Sequence, residues 1–542
     1  MQVSTQKTTE KKRVWALLGI ILCLFVVAGV VVIRIVIDRA EPILRARVIQ
    51  TLSNRFQSRV ELNSLGVSVV RGLEVDGSGL KIYGASDPNP YEAGVQPLIS
   101  IREFHFHTGI RNLFRPVVHV DTVYVKGMEL NIPPKESRPA FTKKMRSQTR
   151  KMSVVVDQFV CQDTDLLINN SNPEKVPLEF AIGDLKMKDI GAGLPMRFDA
   201  TLVNPKPVGD IHSTGLFGPF HEENPRETPV QGDYSFSNAD LGTLKGIGGI
   251  LSSTGKYEGT LSEIVVNGST DTPDFQIARS GHPVALHTDF HAIVDGTSGD
   301  TDLAPVKATL LHSSFTATGS VTRMRNQPGH DIELDVVVEH AQIQDLLKLG
   351  VRTDPSVMAG PVQMHTRMSL TPGDADVADR LKLAGNFRVS DGYFSNQKVQ
   401  SRLDSLSLRT QGKMKEAQKN EAEKVPTDLR GVFTLKDGLL SFSLLHFMIP
   451  GTHVDLAGDY SLDGRTFDFR GTARLDAKLS QMTTGWKSLL LKPVDRFFSK
   501  DGAGTEVPVR ITGTESEPHF GLDFGHKDEH APLEKNFDSA QR

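Results

Sequence analysis

The sequence predicts a mainly β protein: a single N-terminal transmembrane helix, then a long, curled, antiparallel β-sheet groove with a few short helices. Three observations predict it. The run Val14 to Ile33 carries no charge, and about twenty apolar residues cross a bilayer core as a helix. From Val60 onward, short apolar stretches alternate with turn-forming residues at the spacing of antiparallel strands. The stretch Leu429–Gly471 joins strands rich in Phe and Leu through Asp437-Gly438, Pro450-Gly451 and Asp463-Gly464. Asp-Gly is a strong hairpin signal because both central residues of a type I′ turn need φ > 0.

The totals fit this class. The chain has 542 residues, 38% hydrophobic and 23% charged, with 47 glycines and 29 prolines, as a turn-rich folded protein does. A net charge of -3, spread without blocks, argues against a nucleic-acid partner, which would need a basic face. Of the two cysteines, Cys23 lies in the hydrophobic segment and Cys161 beyond it, so the remainder can hold no internal disulfide.

Taken in order, residues 1–13 form a polar tail and residues 14–37 a retained signal anchor, since no small-residue cleavage site follows a short apolar region. Lys7, Lys11, Lys12 and Arg13 precede the anchor, and Arg34, Arg39, Arg45 and Arg47 follow it, so charge alone leaves its orientation nearly balanced. Residues 38–170 form an N-terminal region. It opens with a helix over 41–57 whose Leu44, Val48, Leu52 and Phe56 make one stripe. That helix either caps the first sheet or lies on anionic lipid; the cap is favoured because the chain runs straight into strands. Four or five strands occupy 60–132, and the proline-rich, basic residues 133–152 read as a mobile loop.

Residues 171–410 read as a middle β-meander region. A short helix is conceivable over 240–254, weakened by its glycines, and a better one spans 342–350, closed by Gly350. Residues 411–427 are charged and read as an exposed loop. Residues 428–525 form a C-terminal β region containing an amphipathic helix over 477–498. Its Leu479, Met482, Trp486, Leu489, Leu490, Val494 and Phe497 keep helical spacing across Pro493 and are candidates to contact membrane or a partner. Strands follow at 507–512 and 518–524, then a polar tail over 526–542. Among the strands a single hairpin unit recurs loosely: Gly431 to Gly438 echoes Gly385 to Gly392, and Gly458 to Leu462 echoes Gly232 to Phe236.

At eight to twelve residues per strand and turn, residues 60–525 supply about thirty strands. Open sheets rarely exceed about ten strands without curling, closing or splitting. A curled sheet would line its concave face with apolar side chains, for which Phe387, Val389, Phe433, Leu435, Phe442, Leu444, Phe467 and Phe469 are candidates. Acyl chains are the natural occupants of such a face beside a bilayer anchor. The competing architecture is a series of sandwiches whose apolar faces pack on each other. Which face turns inward stays open, because a shift of one residue exchanges the two faces.

No catalytic motif is present: no phosphate-binding loop, no dinucleotide fingerprint, no nucleophile elbow. His105 and His107 share a strand face, as do His287 and His291, but without Cys or carboxylate at a usual metal spacing. Hydrogen-bonded surface or core histidines are the expectation, with no catalytic residue, cofactor or metal and no enzymatic activity.

The anchor, the amphipathic helix and the strands Val60–Leu62, Leu73–Val75, Gly79–Ile82, Leu98–Ile101 and Val120–Gly127 resemble the opening of AsmA-like proteins. The meander Gly431–Gly471, the apolar helix, and Val507–Thr514 with Pro518–Phe520 resemble the end of the same family. The resemblance implies an inner-membrane protein of bacteria with two membranes, its N-terminus cytoplasmic and its bulk in the periplasm. It further implies a groove that binds or conducts phospholipids in support of outer-membrane assembly and homeostasis, and supplies no catalytic residue. The alternative is an anchored scaffold that binds an outer-membrane assembly protein and moves no lipid.

Overall fold

The computed structural model describes residues 42–522 except 43–44, 55–57, 69–71, 84–95, 110, 113–116, 133–152, 170–177, 192–193, 222–223, 279–281, 324–326, 328, 420–423, 463–464, 479–481, 483–503 and 515–516. The expected anchor, the 133–152 loop and both tails therefore lie outside the described residues. Among those described, no helix is long and apolar enough to cross a membrane. The architecture is mainly β, with twenty-six strands and few helices among the described residues. The chain divides into two compact units. Unit 1 comprises Met1–Ser171, Pro177–Leu202 and His212–Val230; unit 2 comprises Asn172–Val176, Val203–Ile211 and Gln231–Arg542.

In unit 1, helix α1 (45–54) precedes β1 (Val60–Glu61), β2 (Ser64–Ser68), β3 (Leu73–Ile82), β4 (Ile99–Thr108), β5 (Val117–Ile132), β6 (Ser153–Ile168) and β7 (Leu178–Gly191). Five of them fall within 60–132, where four or five were expected, and two lie beyond it. Strands β1 and β2 both pair with β3, and the meander then proceeds strand by strand, antiparallel except at β5 and β6, which run parallel. Val48 and Ile49 of α1 pack on the cluster Leu62, Leu65 and Val75, so the first helix does cap the first sheet. Leu44 and Phe56 of the expected stripe lie outside the described residues.

A line of left-handed residues crosses this sheet. Gly79 (φ 64°), Gly127 (φ 65°) and Asp163 (φ 55°) fall in one transverse row of the strand pairing, with Arg102 between the first two. A left-handed residue inside a strand inverts the alternation of side chains. On β3 the apolar face therefore runs Leu73, Val75, Gly77 and then Leu80, Ile82; on β4 it runs Ile99, Ile101 and then Phe104, Phe106. The row is a crease at which β3 to β6 exchange their two residue sets.

Strands β8 (Met196–Pro205), β9 (Val208–Phe217) and β10 (Pro229–Asp240) are divided between the units, and β11 (Ile247–Gly248) to β26 belong to unit 2. They are β12 (Ile250–Thr260), β13 (Glu263–Ile277), β14 (Val284–Val294), β15 (Thr301–Leu310), β16 (Ser313–Thr322) and β17 (Asp331–Gln342), then β18 (Met358–Ala359), β19 (Pro361–Leu370) and β20 (Leu381–Phe394). The last six are β21 (Thr427–Lys436), β22 (Leu439–Ile449), β23 (Thr452–Ser461), β24 (Thr466–Leu475), β25 (Thr505–Thr514) and β26 (Pro518–Leu522). From β12 on, each long strand pairs antiparallel with the next, and β26 pairs with β25 alone among the described strands. The result is a long open antiparallel sheet. The Asp437-Gly438 hairpin forms as the sequence predicts, with φ of 52° and 72°. Asp391-Gly392 does not turn: Asp391 takes φ 51° inside β20, where the pairing with β21 slips.

Four helices interrupt the described residues of unit 2: α2 (Ile343–Gly350), α3 (Val377–Arg380), α4 (Gln397–Thr410) and α5 (Met414–Lys419). Helix α2 matches its expected span, although Gly350 is its last turn rather than a left-handed cap, and Val351 closes it in extended conformation. The conceivable helix over 240–254 is instead a single 3-10 turn, Leu241–Thr243, followed by β11 and β12. Glycines at 246 and 249, with φ of 92° and 121°, hold non-helical backbone there. The loop expected over 411–427 contains α5 and ends in β21. Side chains of α2 (Ile343, Leu346, Leu347) close over the core Val338, Ala341, Met358, Val362 and Val389.

Candidate functional site

The pairing from β20 to β25 settles which side chains share a face. Phe433 pairs with Phe442, Phe442 with Gly458, Gly458 with Phe469, and Phe469 with Ile511, so these residues form one transverse row. Beside it runs Leu435, Leu440, Tyr460 and Phe467, and on the other side Phe387, Gly431, Leu445, Leu456 and Val509. Paired residues on neighbouring strands point to the same side. The face is therefore apolar across six strands.

Its centre is aromatic. Phe387 lies 6.1 Å from Phe433 and 6.3 Å from Phe442, ring centre to ring centre, and Phe433 and Phe442 are 6.5 Å apart. Phe442 reaches across β23 to Phe469 at 5.8 Å, and Phe469 meets Phe467 at 6.0 Å. Tilted rings at these separations gain edge-to-face attraction beyond their buried area. Glycines make the crossings possible. A Cβ on Gly458 would stand 2.1 Å from the Asp468 carbonyl oxygen and 2.9 Å from the Phe469 ring, and one on Gly431 would stand 2.7 Å from the Phe387 ring.

The structure brings most of the predicted residues together. Phe433 and Leu435 are buried; Phe387, Phe442, Phe467 and Phe469 are half-buried on the same face. Val389 shares the face but is wholly buried in the core under α2, so it offers no surface. Leu444 does not share it. A bulge places Ser443 and Leu444 together opposite Ala457, so Leu444 pairs with Val432 on the other face and Leu445 takes the inward place. Leu445, Phe447 and Ile511 are the residues that sequence spacing missed, and nothing in the sequence marks that bulge. Of the candidate membrane or partner helix, only Met482 is described, half-buried, its N–H donating to the Lys478 carbonyl. Leu479, Trp486, Leu489, Leu490, Val494 and Phe497 lie outside the described residues.

The opposite face carries the charged, paired side chains of these strands, with Val432 and Leu444 among them. Asp468 accepts hydrogen bonds from Arg510 (Nε 3.0 Å, Nη2 2.8 Å) and Arg470 (3.3 Å), and the Arg510 bonds hold its carboxyl below the usual range. Several histidines of each unit sit in cross-strand pairs with acidic or amide side chains: in unit 1 His105 with Asp76 (2.6 Å), and in unit 2 His287 with Asp271 (2.7 Å), His291 with Asn267 (2.8 Å), and His446 with Asp455. His107 stands 3.7 Å from Asp121. Among the described residues no group of three or more His, Cys, Asp or Glu could hold a metal ion.

The fold and the site define an open antiparallel sheet with one apolar, Phe-centred face and one hydrogen-bonded polar face. Comparison with family models, curated proteins and solved structures gave no match to this chain.

Proposed function

We propose that the apolar face of β20–β25 binds the acyl chains of phospholipids, and that the chain is an AsmA-like protein anchored in a bacterial inner membrane. The N-terminus is cytoplasmic in this reading and the sheet lies in the periplasm, where it supports outer-membrane assembly. The observation that carries it is the half-buried cluster Phe387, Phe442, Phe469 and Phe467, drawn from three adjacent rows of a face that is apolar for six strands. A contiguous apolar surface of this kind is uncommon in water and marks a binding site. Aligned, directional apolar rows suit a flexible hydrocarbon chain, and the charged side chains of these strands are on the other side. The uncharged run 14–33 supports a bilayer as the source of that chain. The reading includes no catalysis, cofactor or metal.

The test is photo-crosslinking in intact cells, with the probe at Phe442 or Phe469 and, for comparison, at Thr434 or Asp468 on the other face. Phospholipid captured only from the Phe442 and Phe469 positions supports lipid binding. Protein captured there without lipid favours the scaffold that binds an outer-membrane assembly partner.

A further inference from the structure

We propose that the polar face of unit 1 carries a binding site for a neutral sugar ring, with Tyr124 as its stacking platform. The site is independent of the apolar face of unit 2. It lies on β2–β6, beside the crease, where an open cleft of about 650 Å³ is lined by Ser64, Asp76, Glu103, His105, Tyr124 and Lys126 together with the apolar Phe104, Val125 and Val160.

Strand pairing builds it. His105 pairs with Asp76 on one side and Tyr124 on the other, and Tyr124 pairs with Val160. The neighbouring row is Ser64, Ser78, Glu103, Lys126 and Gln162. Tyr124 is 50% exposed. Its ring lies 6.2 Å from that of His105, the planes 32° apart, so two rings form one shallow platform. The His105 ring is held by Asp76 at 2.6 Å, and Ser64 and Ser78 bond each other at 2.7 Å.

An exposed tyrosine alone means nothing. Here it is ringed by groups that donate (Lys126) and groups that accept (Glu103, Asp76) within one cleft. Two carboxylates stand against one lysine and a histidine, which disfavours a phosphate or other anion. Two rings set among charged side chains are a poor place for an acyl chain. A sugar has the matching surfaces: an apolar C–H face for the rings, and peripheral hydroxyls that both donate and accept. Gly66, opposite Asp76, leaves the cleft open at that end.

The experiment is saturation-transfer NMR on the full chain in a detergent without a sugar headgroup, titrating maltotetraose and tetra-N-acetylchitotetraose, with adenosine monophosphate as comparison. The expected result is saturable binding of at least one oligosaccharide with Kd of about 0.1–5 mM. Tyr124→Ala should weaken it about tenfold or more, while Tyr124→Phe retains it because the ring face, not the hydroxyl, makes the contact. The proposal is overturned if neither sugar saturates by about 20 mM, if Tyr124→Ala binds as the unaltered chain does, or if the nucleotide binds more tightly than either sugar. Unchanged far-UV circular dichroism of both variants shows that the sheet is intact.

Discussion

Gly458 shows how much one missing methyl group decides. With no side chain it lets Phe442 and Phe469 meet across β23; with a Cβ it would press on the Asp468 backbone oxygen at 2.1 Å. Backbone cannot yield as a flexible side chain can, so Gly458→Ala should cost about 1–3 kcal/mol, as overpacking does. Gly350 is the contrast: it ends α2 where an added Cβ would meet nothing within 4 Å, and Gly350→Ala should stabilise by about 0.4–1 kcal/mol. Urea midpoints of the two variants, moving in opposite directions, check both. Charge at single residues has its own signature. The Asp271 hydrogen bond raises the His287 pKa, with Asp289 also near and Thr309 opposite on β15. A raised histidine pKa means that the pair stabilises fully below the ordinary 6.5 and loses its effect as pH rises through the folded value. Asp468, lowered by Arg510, behaves oppositely: its contribution is present above the ordinary 3.8 and fades as pH falls through the folded value. Thermal melts across pH should therefore show the deficit of His287→Gln shrinking on the alkaline side and that of Arg510→Gln shrinking on the acid side.

At the scale of elements, helix α4 explains what the sequence hid. Its buried stripe is polar: Gln400, Asp404, Ser407 and Thr410 are all buried. Gln400 donates to Asp404 Oδ1 (2.7 Å) and to the Val425 carbonyl (3.0 Å), and accepts from the Phe394 N–H (2.9 Å). Asp404 also accepts from the Val425 N–H at 2.9 Å. Hydrophobic periodicity finds helices by their apolar stripe, so this one reads as interruption between strands. Gln400→Ala would leave the Val425 carbonyl and the Phe394 N–H without their partner and take one of its two donors from Asp404, costing about 1–3 kcal/mol. Hydrogen exchange at the Val425 and Phe394 amides should accelerate in that variant while amides of β12 and β13 stay unchanged. Other elements were legible for the converse reason. The hairpin at Asp437-Gly438, the strands over 60–132 and the span of α2 each obey a local rule, positive φ or a clean period. The crease through Gly79, Gly127 and Asp163 and the bulge at Ser443-Leu444 obey no local rule. They exist only in the pairing of strands, and each exchanges the faces that alternation assigns. Hence the predicted Phe set is gathered on one face while Leu444 is not.

At the scale of a whole folding unit, the sheet of unit 2 keeps its two faces chemically distinct from β12 to β25. On β13 and β14 one face reads Val266, Gly268, Phe290, Ala292 and the other Asn267, Asp271, His287, His291; on β24 the division is Phe467, Phe469, Ala473 against Asp468, Arg470, Arg474. Such segregation over so many strands is costly unless the apolar face is covered, at about 25 cal/mol per Å² left in water. The acyl-chain reading makes that cover a lipid. Phe442→Asp combined with Phe469→Asp places two charges where the chain would lie and leaves the strand pairing and polar face untouched. Phospholipid recovered with the purified protein, counted by mass spectrometry per chain, should fall several-fold in this double variant, as buried charge opposes apolar ligands. Thr434→Asp with Thr472→Asp, charges added on the opposite face of β21 and β24, should leave the count unchanged. Equal loss in both double variants would mean that the added charge acts through folding or membrane association, and lipid would then have no particular claim on the phenylalanine row. Loss confined to the first, with circular dichroism unchanged, ties the lipid to that row and to the glycines that let its rings meet.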